Sequence, residues 1–99
     1  MPLLEISVVP VGTNTPSFSS CVTNSIRMLE QKGLKYQITP TATIIEGDLN
    51  QLLDMAKEIH QNAFTNGVDR VITNISIDHR TDKTMDMSRQ VEVVQQSLQ

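Results

Sequence analysis

The run Pro40-Thr41-Ala42-Thr43-Ile44-Ile45-Glu46-Gly47-Asp48 constrains the fold of this chain more than any other stretch. Threonine and isoleucine suit a pleated, half-buried surface. Gly47 stops such a strand, and Asp48 is the kind of residue that caps a new helix through its side-chain oxygen. A strand-to-helix switch is thereby fixed near the middle of the sequence. Glu46 is out of place in a run of this kind unless something binds it.

On either side of the switch the chain alternates element types. Leu3 to Val9 reads as a strand with Leu4, Ile6 and Val8 on one face and Glu5 and Ser7 on the other. Pro10, Gly12 and Pro16, with Thr13, Asn14 and Thr15 among them, end it in a turn. From about Ser17 to Lys32, the residues Phe18, Val22, Ile26 and Leu29 recur at helical spacing on one stripe. Pro16 or Ser17 marks the start of this helix and Gly33 is its C-cap. Leu34 to Ile38 is a second strand, with Tyr36 and Ile38 on one side. A turn at Thr39-Pro40 pairs it with the strand Thr41 to Glu46 as a hairpin.

The second helix is expected from about Leu49 to Asn66, burying Leu49, Leu52, Leu53, Ala56, Ile59, Ala63 and Phe64, with Asn66-Gly67 closing it. Asp69 to Ile77 is the fourth strand, in which Val71, Thr73, Ile75 and Ile77 alternate against Ile72, Asn74 and Ser76. A polar loop leads to a third helix, about Met85 to Leu98, with Met87, Val91, Val94 and Leu98 on one stripe. The order β-α-β-β-α-β plus a terminal helix predicts an α+β, ferredoxin-like sandwich as a single domain over residues 1–99. Two long helices on one face leave the opposite face of the sheet uncovered. Such a face usually meets another subunit, and a chain this small gains core by doing so. The third helix covers either a neighbour or its own sheet edge.

Composition narrows the function classes. An apolar fraction of 38% with 19% charged residues describes a globular chain rather than a disordered one. The net charge of -3, with eight scattered basic residues, argues against a nucleic-acid partner. Cys21 is the only cysteine, which excludes an intramolecular disulfide and a cysteine-rich metal site. No segment approaches the roughly 18 uninterrupted apolar residues of a membrane span, and there is no basic n-region at the amino terminus. The expectation is a cytoplasmic protein without a membrane partner, metal or resident cofactor.

The candidate functional residues each have a plain structural alternative. Glu46 is either a ligand-binding carboxylate or a strand-end residue paired with Arg70 or Arg80. Thr43 stands three positions before it, which in a regular strand sets the two side chains on opposite faces; a bulge or the strand end is needed to bring them together. Asn74 and Ser76, with Ser7 on the neighbouring first strand, form either a row of donors and acceptors for a heterocycle or a hydrated polar surface. His60 sits beside an apolar stripe, where a satisfied boundary histidine is commoner than a catalytic one. His79 lies in a polar loop, with no second ligand at metal spacing. Cys21 and Ser17 to Ser20 occupy the start of the first helix, suited to an activated thiol or an anion, and equally to simple packing and capping.

Taken together, these residues resemble the small thiamine-binding protein family over nearly the whole chain. The resemblance is carried by Val9-Pro10-Val11-Gly12-Thr13, the serine-rich helix start to Ser20, Tyr36, Thr43-Ile44-Ile45-Glu46-Gly47, Gly67-Val68-Asp69-Arg70-Val71 and Ile77-Asp78-His79-Arg80. It implies a ferredoxin-like fold, dimers joined through their sheets and often a homotetramer as a dimer of dimers. It also implies non-catalytic binding of thiamine or its hydroxymethylpyrimidine moiety. Thr43 and Glu46 carry over as ligand-binding residues from the matched strand, and Ser20 from the helix start; Asn74 is inferred from its strand face alone. An aminopyrimidine offers ring nitrogens and an exocyclic amine that hydroxyls and a carboxylate can hold. The charge-assisted bond is roughly twice as strong as a neutral one, which makes Glu46 the main anchor. Two competitors stand beside this reading: a structural or regulatory oligomeric interaction domain with no dedicated small ligand, and an enzyme using Cys21 or His60.

Overall fold

The computed structural model describes residues 1–12, 18–64, 68–82 and 87–98, and within these it leaves out the side chains of 18–21, 89, 90 and 97. Seven elements follow in the order β1 (Leu3–Val11), α1 (Phe18–Gln31), β2 (Lys35–Ile38), β3 (Thr43–Glu46), α2 (Leu49–Asn62), β4 (Arg70–Asp78) and α3 (Met87–Ser97). The four strands form one antiparallel sheet in the order β2-β3-β1-β4. This is the ferredoxin-like arrangement, with an added C-terminal helix.

The core is what the strand alternation predicts. Leu4 and Ile6 of β1 and Ile45 of β3 point to one side and pack with Leu29 of α1 and Leu52, Met55, Ala56 and Ile59 of α2. Burying side chains of this size contributes on the order of 2 kcal/mol each. α1 lies against β1 and β2, and α2 against β1 and β4. The end of α1 forms a Schellman cap: the Leu34 N–H donates to Leu29 O and the Gly33 N–H to Glu30 O. Gly33 has the left-handed backbone, φ +70, that this cap requires. Tyr36 then ties β2 back to α1 by donating its hydroxyl to Glu30 Oε1 at 2.8 Å, which raises the phenol pKa because ionisation would set two anions together.

Several boundaries shift for physical reasons. β1 continues through Pro10 to Val11 rather than ending at Val9, because beyond Ile6 it pairs with β4 alone and a strand with one unpaired side tolerates proline. β3 begins at Thr43, since Thr39–Ala42 is consumed by a turn in which the Thr39 N–H and hydroxyl both bond Ala42 O. At the start of α2 the Asp48 N–H donates to Gln51 Oε1, the return half of a capping box. α2 stops at Asn62, with Ala63 as its C-cap; Asn66-Gly67, expected to close it, lies outside the described residues.

The expected buried face of α2 is too broad. Leu53 and Phe64 are each 45% exposed, while Met55, not expected inside, is 2% exposed. Leu53 follows Leu52 directly, about 100° round the helix from the buried stripe. β4 is an edge strand, paired with β1 alone. Its Ile75 and Ile77 face the helix side but remain largely exposed, as do Val91, Val94 and Leu98 of α3, on which only Met87 of the expected stripe is buried.

Candidate functional site

The register of β3 decides which polar residues meet. Glu46 stands opposite Lys35 on one side and Leu3 on the other, and Thr43 opposite Ile38 and Ile6. The pairing runs unbroken from Thr43 to Glu46 on both sides, so alternation holds without a bulge. Thr43 shares the helix-covered side with Ile45; Glu46 points to the other, roughly 10 Å along the strand. The two residues carried over as ligand-binding therefore face opposite sides of the sheet, as regular alternation requires.

Glu46 borders a cleft of about 330 Å³ at the β2–β3 end of the sheet, together with Met1, Lys32, Leu34, Lys35 and Gln51. Its side chain is only 10% exposed, and its nearest cation is Lys35 Nζ at 3.9 Å from Oε2. That oxygen is buried and accepts no hydrogen bond. Lys35 is 73% exposed, so the pair is a loose one at the edge of water and does not replace a directed donor. A buried carboxylate oxygen without a donor costs free energy that an incoming N–H would recover. Gly47 keeps the wall close: a Cβ there would stand 3.1 Å from Leu34 Cδ2. A second cleft of about 450 Å³ shares Lys32, Leu34 and Gln51 and continues along α2 to Lys57 and Gln61.

Thr43 has a different setting. It is 8% exposed and borders a chamber of about 40 Å³ among Ile6, Val22, Ile59, Ser25 and Thr39. That space suits about one water molecule, whereas small-ligand sites run to about 300 Å³ and more.

The remaining candidates also part company. Ser20 lies on α1, but its side chain, like that of Cys21, is outside the described residues. Asn74 pairs with Ser7 on the uncovered face, confirming that shared row. The Glu46 row ends on β4 at Asp78, about 13 Å along the strand from Asn74, so Asn74 takes no part in the cleft. His60 is a boundary residue: its Nδ1 is 2.7 Å from Thr73 Oγ1 and its ring meets Phe64 edge-on at 5.4 Å. Arg80 does not reach Glu46. It grips Asp82 through two bonds of 2.9 and 2.7 Å, which raises its pKa, and the ion-pair partner of Glu46 is Lys35. Lys32, Lys35 and Gln51 were not expected in the site. Lys35 was within reach of sequence reasoning, because a turn over Thr39–Ala42 sets Ile38 against Thr43 and hence Lys35 against Glu46.

Comparison with known proteins places this arrangement in context. The sequence pattern of a family described as thiamine-binding protein matches residues 4–95. The UPF0045 protein YqgV of Bacillus subtilis is 39% identical over 103 residues, covering 100% of this chain and 99% of its own. The crystal structure of hypothetical protein MJ1052 from Methanocaldococcus jannaschii superposes with a TM-score of 0.83 at 32% identity, over 94% of each chain. A candidate thiamine biosynthesis/salvage protein of Thermotoga maritima superposes with a TM-score of 0.78 over 94% of this chain and 97% of its own; at 20% identity it speaks to the fold alone. Among the described residues no helix is long and apolar enough to cross a membrane.

Proposed function

The chain belongs to the thiamine-binding protein family, and from that premise we propose that it binds thiamine or its hydroxymethylpyrimidine moiety without catalysing a reaction, with Glu46 as the anchor. Its role is sequestration, delivery or sensing of the ligand in the cytoplasm. The observation that carries this reading is the buried Glu46 Oε2 without a donor, bordering a cleft of about 330 Å³. The exocyclic amine of an aminopyrimidine supplies the missing N–H, in a charge-assisted bond. Gln51, on the cleft wall, offers an amide to the ring nitrogens. Thr43 then supports the site from the other side of the sheet, through the packing of β3, and does not touch the ligand.

The protein works as a homo-oligomer, most simply a dimer of dimers. Ile72, Ile75 and Ile77 on the edge strand β4, with Val91, Val94 and Leu98 of α3, are apolar residues 40% or more exposed. Exposed apolar side chains in such number on so small a chain are commonly covered in assemblies. The same feature favours the second reading, an interaction domain in which assembly is the whole function.

Isothermal calorimetry with thiamine and with hydroxymethylpyrimidine separates the two readings. The expected result is binding of about one ligand per chain in the micromolar range, roughly -8 kcal/mol. Glu46→Gln should weaken it at least tenfold with the melting temperature and elution volume held. Unchanged affinity in that variant removes Glu46 from the site, and no heat with either compound leaves the interaction domain as the function.

A further inference from the structure

The side chains around Glu46 specify more than an amine. The cleft holds two lysines, Lys32 at the end of α1 and Lys35 at the start of β2, against the one carboxylate of Glu46. Its ionisable side chains therefore sum to one positive charge, in a chain whose net charge is -3. The excess is local and placed by the fold: the Schellman cap at Gly33 turns the chain between the two lysines, so that both border the same opening. Lys35 is engaged only loosely, at 3.9 Å from Glu46. Lys32 has no ion pair among the described residues.

A ligand that satisfies this cleft has two poles. One is an N–H donor for the buried Glu46 Oε2; the other is an anion at the rim, where the flexible ammonium groups are exposed. Unphosphorylated thiamine meets only the first requirement, through its aminopyrimidine, and its thiazolium charge is opposed by both lysines. We propose that the cleft is built for a phosphate monoester of an aminopyrimidine-containing compound, with Glu46 holding the amine and Lys32 and Lys35 the phosphate. This rests on the reading of Glu46 as the ligand anchor and adds the class of ligand to it. Lysine suits the task, since it binds phosphate as a mobile point charge without a fixed fork. When the phosphate takes over Lys35, the loose pair with Glu46 is released, and the carboxylate turns wholly to the amine.

The test is calorimetry on the full chain with hydroxymethylpyrimidine, hydroxymethylpyrimidine phosphate and inorganic phosphate, at low and at physiological salt. The phosphate ester should bind at least tenfold tighter than the free alcohol, about 1.4 kcal/mol. That advantage should shrink as salt rises, because exposed charges are screened. The double variant Lys32→Gln/Lys35→Gln should lose the advantage, so that the ester binds no tighter than the alcohol in that variant. Glu46→Gln should weaken both organic ligands. Equal affinity of ester and alcohol, an advantage that survives in the double variant, or inorganic phosphate binding as tightly as the ester each overturns the proposal and leaves the Glu46 anchor standing. If neither organic ligand binds the unaltered chain, the anchor falls as well, and the ester proposal with it.

Discussion

At one end of β3, Thr43 lies beneath the helices in a chamber of about 40 Å³; at the other, Glu46 borders a cleft of about 330 Å³ and keeps an oxygen without a donor. Both side chains are nearly buried, both are polar, and the same four-residue strand carries them. The difference lies in what surrounds them. Around Thr43, residues of both helices and of the hairpin turn leave only about 40 Å³ of space, and its side chain contributes there mostly through its methyl group. Around Glu46 the sheet is near its end, and the turn at Gly33 together with Gly47 leaves room beside the carboxylate. Burial alone therefore does not mark a binding residue in this molecule; burial beside an opening does.

The largest effect on this contrast should come from its midpoint. Ile45, fully buried between the two ends, joins the β3 backbone to Leu4, Leu29 and Leu52. Ile45→Ala should cost about 2–5 kcal/mol through lost burial and the cavity left behind. In chemical denaturation the midpoint should fall with the slope unchanged. A loss under about 1 kcal/mol would mean that the two ends are held apart by something other than this packing.

The binding predictions come next in size. Glu46→Gln and the lysine double variant should each move affinity by tenfold or more, and both act only at the open end. Smaller again is Gly33→Ala. The space around Gly33 is empty, so an added Cβ meets no atom within 4 Å and the cost is conformational, about 1 kcal/mol for a left-handed residue. Because Gly33 turns the chain between Lys32 and Lys35, this variant should also reduce any preference for a phosphorylated ligand. A melting temperature equal to that of the unaltered chain would show that the cap relaxes without strain.

Much of this was open to sequence reasoning, and the parts that were not have a common cause. The element order, the β2–β3 hairpin, the Gly33 cap and the separation of Thr43 from Glu46 all follow from local rules: periodicity, turn chemistry and strand alternation. The errors concern what lies across from a residue. Leu53 and Phe64 are apolar at nearly the right spacing, but the face they cover is not opposite the sheet. Ile75 and Ile77 alternate correctly, yet β4 is an edge that α2 only partly reaches. Arg70 and Arg80 were reasonable partners for Glu46 by charge, whereas the hairpin register delivers Lys35. The cleft is likewise a product of three segments, α1's last turn, β2 and α2's first turn, whose convergence no single motif announces.

The smallest expected effect is the most informative about the two ends. Thr43→Val keeps the shape and exchanges a hydroxyl, with no hydrogen bond among the described residues, for a methyl group in a largely apolar chamber. A methyl group suits the apolar walls of that chamber at least as well as the hydroxyl does. The variant should therefore match or exceed the original stability, by less than about 1 kcal/mol, and bind ligand unchanged. A clear loss of stability would mean that the hydroxyl is satisfied by a water in the chamber, which has space for one. A tenfold loss of affinity, with Glu46→Gln neutral, would reverse the assignment: the ligand would then enter beneath the helices by opening the Thr43 chamber, and the carboxylate's unmet demand would be a structural cost with no ligand to relieve it.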